Sequence, residues 1–318
     1  MSLRIVFMGT PAFAVPSLES LHAAGHRIER VVTQPDRERG RGQKVQRTPV
    51  AAAADGLGIE VSQPQRASAP EFVEEIKAIG PDLVAVVAYG HILRRRVLEI
   101  PPLGCINAHG SLLPALRGAA PIQWSILRGD HETGITTMRM DRGMDTGDML
   151  LRRPLAIGAH ESVSGLHDRL MVLAAEVLTE TVDLLERGAI TPEPQDESLA
   201  TYAPRIESRD LVLDWNRPAE ELERQVRGLA PRARSWRSGR LVQVLESRVA
   251  PTDASNADAD APGTARPAQR GEERVLRVVC GRGALDILRL RPEGRSAMAA
   301  DDYLRGRPWA EDETFSQP

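Results

Sequence analysis

Ahead of residue 108 the chain alternates short β-branched or apolar runs with amphipathic ones, and that alternation restricts the fold more than any other feature. Residues 3–8 (Leu-Arg-Ile-Val-Phe-Met) read as a strand ending at Gly9-Thr10-Pro11, residues 14–24 as a helix stopped by Gly25, and residues 28–33 as a second strand. Residues 70–79 place Phe72, Ile76 and Ile79 on one helical side, and residues 83–88 form the continuous apolar run of a fully buried strand. Residues 104–107 give a further short run. Parallel strands need crossovers of this kind, because a tight turn cannot join them. The pattern predicts an α/β domain with a Rossmann-like, mostly parallel sheet. Its first turn has one glycine and a proline where a dinucleotide fingerprint needs three glycines, which disfavours a nucleotide cofactor.

The second half of the chain changes character. Residues 164–188 read as a long helix with Leu166, Leu170, Leu173 and Val177 on one stripe and Gly188 as its stop. A polar, proline-punctuated stretch follows. At roughly 150 residues per domain, 318 residues allow two domains, and the boundaries expected are 1–188 for the Rossmann-like domain, 189–208 for a linker and 209–318 for a second domain. In the latter, a helix at 218–229 precedes short strand candidates at 241–245, 275–280 and 284–290, which suggests a small C-terminal β-barrel of OB-like kind. Residues 251–271 lack any large apolar side chain and are expected to form a mobile loop.

Cys105 and Cys280 are the only cysteines, so neither a disulfide framework nor a metal knuckle is expected, and the cytoplasm is the natural compartment. No run of roughly 18 apolar residues occurs, so no membrane role is expected. A net charge of -3 says nothing about nucleic acid, but its distribution does. Arg37, Arg39, Arg41, Lys44 and Arg47 face a single acid, Glu38, and residues 224–240 carry six arginines and no acid. The Arg-Gly-Arg-Gly at 39–42 suits a loop that orders on a phosphate backbone, whereas a charge run is more commonly a solvated face. Several arginines of the second run could equally cap helices or cover apolar surface.

Candidate chemistry gathers between Gly104 and Asp148. Asn107 and His109 are two apart at a strand end and so point to one face. Gly110, Pro114 and Gly118 then open a loop, and the turn at 140–148 could bring Asp145 up to His109. An imidazole and a carboxamide side by side can stabilise a carbonyl oxygen that is becoming an oxyanion, with the acid orienting the ring, which is what an acyl transfer needs. Asp145 in Asp-Thr-Gly could instead be a turn residue bonded to its own backbone. A metal site joining His109 to Asp141, Asp145 or Asp148 is disfavoured because the acids lack a defensible ligand spacing. No Ser or Cys has an evident base partner, which favours direct attack by a substrate group.

The stretches Asn107-Ala-His-Gly-Ser-Leu-Leu-Pro114, Arg117-Gly-Ala-Ala-Pro-Ile and Met140-Asp-Arg-Gly-Met-Asp-Thr-Gly-Asp-Met together resemble the folate-dependent formyltransferases. The similarity extends to Phe-Met-Gly-Thr-Pro (7–11), Gly-Arg-Gly (40–42), Val-Ala-Tyr-Gly (87–90), Pro-Gln-Asp-Glu (194–197) and Ala-Thr-Tyr-Ala (200–203). The resemblance implies 10-formyltetrahydrofolate as formyl donor, the α-amino group of methionyl initiator tRNA as acceptor, no metal, and a monomer. It places Asn107, His109 and Asp145 at catalytic positions and Ser111, Leu112, Leu113 and Pro114 in a folate-contacting segment. It also gives Arg41 a role in seating the tRNA and the barrel a role in holding its phosphates. A formyltransferase for another amine, or a folate- or RNA-binding protein without catalysis, stays open on sequence grounds. Leu116 stands where relatives often have a bulky aromatic residue, and Met144 where Leu is usual.

Overall fold

The computed structural model describes all residues except Met1, 40–43, 252–259, 308, 311–312 and 317–318. In chain order the elements are β1 (Arg4–Gly9), α1 (Val15–Ala23), β2 (Arg27–Val32), β3 (Arg37–Arg39), β4 (Lys44–Gln46), α2 (Pro49–Gly56), β5 (Val61–Ser62), α3 (Pro70–Ile79) and β6 (Leu83–Val87). There follow α4 (Arg95–Leu98), β7 (Cys105–His109), α5 (Pro121–Arg128), β8 (Glu132–Arg139), β9 (Met149–Ala156) and α6 (Val163–Glu186). The remainder comprises α7 (Ala219–Leu229), β10 (Arg234–Arg237), β11 (Arg240–Val249), β12 (Ala265–Arg270), β13 (Glu273–Val279), β14 (Ala284–Pro292), β15 (Met298–Ala299), α8 (Ala300–Gly306) and β16 (Phe315–Ser316).

The chain divides into two units, but not at a single point. One unit comprises Met1–Pro121, Glu132–Ala156 and His167–Ala203; the other comprises Ile122–His131, Ile157–Leu166 and Pro204–Pro318. The first is built on a seven-stranded sheet of order β5-β2-β1-β6-β7-β8-β9, in which β5, β2, β1, β6 and β7 run parallel, β8 lies antiparallel to β7, and β9 lies antiparallel to β8. The expected Rossmann-like, mostly parallel sheet is therefore present. Its strand order reverses between β1 and β6, and in open α/β sheets the crevice beyond the strand ends at such a reversal is where ligands bind. Helix α3 shows how the sequence builds the layers: Pro70 starts it, Gly80 ends it in the left-handed region at φ 58°, and Phe72, Val73 and Ile76 are buried. They join Val6, Met8, Val84 and Val86 in one apolar cluster.

In the second unit, an antiparallel sheet runs β12-β13-β14-β11-β10-β16. Its two end strands meet: Phe315 N–H donates to the Gly263 carbonyl at 2.8 Å, and Thr264 bridges Thr314. The sheet thereby closes on itself as the expected barrel, around Leu213, Leu222, Val244, Leu276, Ile287 and Leu290. The expectation of a mobile loop over 251–271 needs correcting for 265–270. Those residues form β12, paired through the backbone with β13 from Ala265 opposite Val278 to Arg270 opposite Glu273. Backbone pairing does not require large side chains, and Ala265 alone supplies the buried contact at the start of the strand.

Candidate active site

Strand β7 delivers Asn107 and His109 from the same face, in register with Met138 and Thr136 of β8. Asn107 is half-buried and its carboxamide makes no hydrogen bond to another described residue. His109 is buried, and its Nε2 lies 2.9 Å from the Leu116 carbonyl. A carbonyl can only accept, so Nε2 carries a proton and Nδ1 is left facing Asp145, whose Oδ2 is 3.7 Å away. That spacing is an ion-pair distance, longer than a hydrogen bond. The Asp145 carboxylate is held instead by the Gly118 N–H, which donates to Oδ2 at 2.8 Å. Leu116 and Gly118 of one loop thus fix the base and the acid separately.

Backbone strain marks the same place. Four described residues other than glycine have positive φ, and three of them belong here: Ala88 at 47° just beyond β6, Leu116 at 60° and Asp145 at 58°. Such conformations cost about 1–3 kcal/mol each and persist only where surrounding contacts enforce them. For Asp145 these contacts are unusually complete. Gln195 donates through Nε2 to the Asp145 carbonyl at 2.8 Å and to the Gly147 carbonyl at 2.7 Å. Arg117, almost wholly buried, donates from Nε and Nη2 to Gln195 Oε1 at 3.0 and 2.8 Å. It also donates from Nη1 and Nη2 to Glu197 at 2.9 and 2.8 Å. The hydrogen bond with Glu197 raises the Arg117 pKa and, reciprocally, holds the Glu197 carboxyl below its usual range. Sequence reading gave Arg117, Gln195 and Glu197 no role, although the motifs quoted for the family contain all three.

The 111–114 segment is divided in its exposure. Ser111 and Leu113 are buried; the Ser111 hydroxyl donates to the Ala115 carbonyl at 2.6 Å, and Leu113 packs with Met138 and Met149. Leu112 and Pro114 are half-buried and are the two with surface to offer. Within the same unit a hollow of about 590 Å³ is lined by Ile92, Leu93, Arg94, Arg96 and Arg142 among others. It lies where the chain leaves β6 and where the 140–148 turn begins, and it combines an apolar wall with a rim of cations. Among the described residues no group of three or more His, Cys, Asp or Glu is arranged to hold a metal ion.

Arg41 lies among 40–43, outside the described residues; the flanking β3 and β4 pair antiparallel with Arg37 opposite Gln46. Of the six arginines at 224–240, four are committed within the second unit. Arg224 donates to Leu127 O, Arg227 to Glu223 and Glu161 O, Arg234 to Ser208 O, and Arg237 to Glu313. Arg232 and Arg240 are exposed. No helix among the described residues is long and apolar enough to cross a membrane.

The chain belongs to the formyl transferase family: residues 3–182 match the formyl transferase family model and residues 205–308 the formyl transferase C-terminal domain. Among its relatives are methionyl-tRNA formyltransferases. That of Citrifermentans bemidjiense is 46% identical over 306 residues, covering 96% of this chain and 93% of the relative. That of Solibacter usitatus is 46% identical over 317 residues, covering 99% of each. Solved structures share the fold at lower identity. HypX from Aquifex aeolicus in complex with tetrahydrofolic acid has a TM-score of 0.64 at 17% identity over 100% of this chain, which spans 51% of the HypX chain. The N-formyltransferase from Helicobacter canadensis, in complex with folinic acid and dTDP-3-aminofucose, has a TM-score of 0.63 at 16% identity, covering 90% of this chain and 98% of that one.

Proposed function

We propose that this chain transfers the formyl group of 10-formyltetrahydrofolate to the α-amino group of methionyl initiator tRNA. The observation that carries the chemistry is Asp145 held beside the ring of His109, whose strand carries Asn107 on the same face. Near-full-length identity of 46% to methionyl-tRNA formyltransferases supports the choice of acceptor. The donor contributes an electrophilic formyl carbon on an aromatic acid. The hollow beside β6 suits such a molecule, with Ile92 and Leu93 for its apolar plane and Arg94, Arg96 and Arg142 for its carboxylates.

Each residue then has a defined task. The free Asn107 carboxamide donates to the formyl oxygen as that oxygen gains charge. His109, anchored through Nε2–H on Leu116, presents Nδ1 to the same region, and when Nδ1 is protonated the nearby Asp145 stabilises the ring's positive charge. The proton lost by the attacking amine passes to the Asp145 carboxylate and from there to N10 of the donor, as the formyl–N10 bond breaks and tetrahydrofolate leaves. An α-amino group titrates near pH ~8, so much of it is already nucleophilic at neutral pH and positioning outweighs strong base catalysis. Leu112 and Pro114 line the donor side. In this reading residues 1–188 form the catalytic domain, 189–208 the linker and 209–318 the tRNA-holding barrel, with Arg41 seating the acceptor end.

Incubation with 10-formyltetrahydrofolate and methionyl initiator tRNA should yield formylmethionyl-tRNA. Asn107→Ala or His109→Ala should slow turnover by roughly a hundredfold or more with donor binding retained, and wild-type rates in both would remove the oxyanion assignment. A nucleotide-linked amino sugar, the acceptor class suggested by the Helicobacter canadensis complex, serves as the competing substrate. Faster formylation of the sugar would overturn the tRNA reading while leaving the chemistry intact.

A further inference from the structure

We propose that Gln195 is a positioning residue for catalysis, oriented by Arg117, whose task is to hold the Asp145 turn in the strained conformation that presents its carboxylate to His109. The inference rests on the reading of Asp145 given above. Its starting point is the unambiguous orientation of an amide. Arg117 has only donors, and two of them reach Gln195 Oε1, at 3.0 and 2.8 Å. The oxygen of Gln195 must therefore face Arg117, which turns both protons of Nε2 the other way. Both are spent on one turn, at the Asp145 and Gly147 carbonyls.

Three features separate this arrangement from ordinary support. First, Gln195 is not needed to balance the Arg117 charge, because Glu197 already takes two of its hydrogen bonds. Second, the two carbonyls flank a backbone that cannot relax in place: Asp145 has φ 58°, and a Cβ on Gly147 would stand 1.8 Å from the Arg139 carbonyl oxygen. Third, the segment that supplies Arg117 also supplies the Gly118 N–H on the Asp145 carboxylate. Asp145 is gripped at its main-chain carbonyl by way of Gln195 and at its side chain by Gly118, so its two degrees of freedom relevant to His109 are both set from residues 117–118. Without the Gln195 protons, two carbonyls would lose their donors and the left-handed residue would lose its restraint.

Gln195→Glu isolates the idea. The variant keeps the oxygen that pairs with Arg117 and replaces the NH2 with an oxygen aimed at two carbonyls, so the pairing survives while the turn is repelled. With 10-formyltetrahydrofolate and methionyl initiator tRNA, kcat should fall on the order of tenfold to a hundredfold, with KM for both substrates within about twofold and the melting temperature close to wild type. The pH–rate profile should change as well, which a loss of fold alone would not bring about. Gln195→Met, which keeps the volume and deletes every hydrogen bond, should show the same kcat loss and carries the test if the Glu variant fails to fold. Glu197→Gln leaves the turn contacts in place and should keep kcat within about twofold. Wild-type kcat and pH profile in both Gln195 variants would overturn the proposal. So would a loss of activity that tracks unfolding and is restored by cooling, which marks a purely structural role. An inactive wild type, or an Asp145→Asn variant of undiminished rate, would instead refute the underlying reading.

Discussion

Arg117 and Arg237 are both 1% exposed, one in each unit, yet the protein uses them in opposite ways. Arg237 sits 4.0 Å from the Trp309 ring centroid and 5.4 Å from that of Tyr303, donates to the Tyr303 hydroxyl, and pairs with Glu313. Burial works against its charge, but the hydrogen bonds to Glu313 and Tyr303 prevail and raise its pKa. Its partners belong to α8 and the segment leading into β16, so the buried cation ties the closing strand into the barrel. Arg117 also hydrogen-bonds a tyrosine, Tyr202, but its bonds to Gln195 continue to a strained backbone. A buried arginine enclosed by rings and one acid is a fastening. One whose bonds continue to a left-handed acidic residue serves the site.

Substitutions can break that comparison at graded strengths. Arg237→Ala should cost about 3–5 kcal/mol, because it strands Glu313 and opens a cavity under Trp309; the check is a large drop in melting temperature, while the rate per folded molecule is retained. Arg117→Ala should destabilise by a similar amount and in addition lower kcat per folded molecule, so equal specific rates for the two variants would erase the distinction. Gly118→Ala should follow at about 1–3 kcal/mol, since φ is +121° and the new Cβ would meet the Ala203 carbonyl oxygen at 2.7 Å. Because Gly118 N–H holds Asp145, this variant should also lose turnover, as steady-state kinetics would reveal.

A smaller effect lies in the acid response. Hydrogen bonding by Arg237 lowers the Glu313 pKa to about 2 from an ordinary 4.5. A carboxyl with a depressed folded-state pKa stabilises above its unfolded value, and that stabilisation is lost as pH falls through the folded one. The melting temperature should therefore drop between about pH 4.5 and 2, and Glu313→Gln should remove that component. Smallest of all, Arg95→Ala breaks a pair with Glu99 whose side chains are 64% and 60% exposed. It should shift stability by no more than about 0.5 kcal/mol, and a shift as large as that of Arg237→Ala would erase the contrast between buried and exposed pairs.

The sequence is informative where a local pattern suffices. Pro70 and Gly80 delimit α3, the apolar run at 83–87 forms β6, and the two-residue spacing of Asn107 and His109 puts them on one face. It is silent where long separations decide. Arg117 meets Gln195 and Glu197 across 78 and 80 residues, and no periodicity signals that an arginine will be almost wholly buried. The positive φ of Leu116 has no local signal, and that of Asp145 has only the mild preference of Asp for the left-handed region. Strand β12 escaped notice because its pairing is made by the backbone. Reading side-chain roles along the chain assigned Asp145 the task of holding His109; in the structure the carbonyl of Leu116 holds the ring.

The way the units divide the chain has a consequence for its synthesis. Ile122–His131 and Ile157–Leu166 belong to the unit otherwise built from Pro204–Pro318, and Ile126 lies against Gly228 of α7. At ribosomal speeds of about 5–20 residues per second, these two segments leave the exit tunnel on the order of ten seconds before the strands they belong with. Throughout that interval Ile126, fully buried in the finished protein, lacks the α7 surface it lies against. The nascent protein thus carries a buried side chain whose partner is made only later in synthesis.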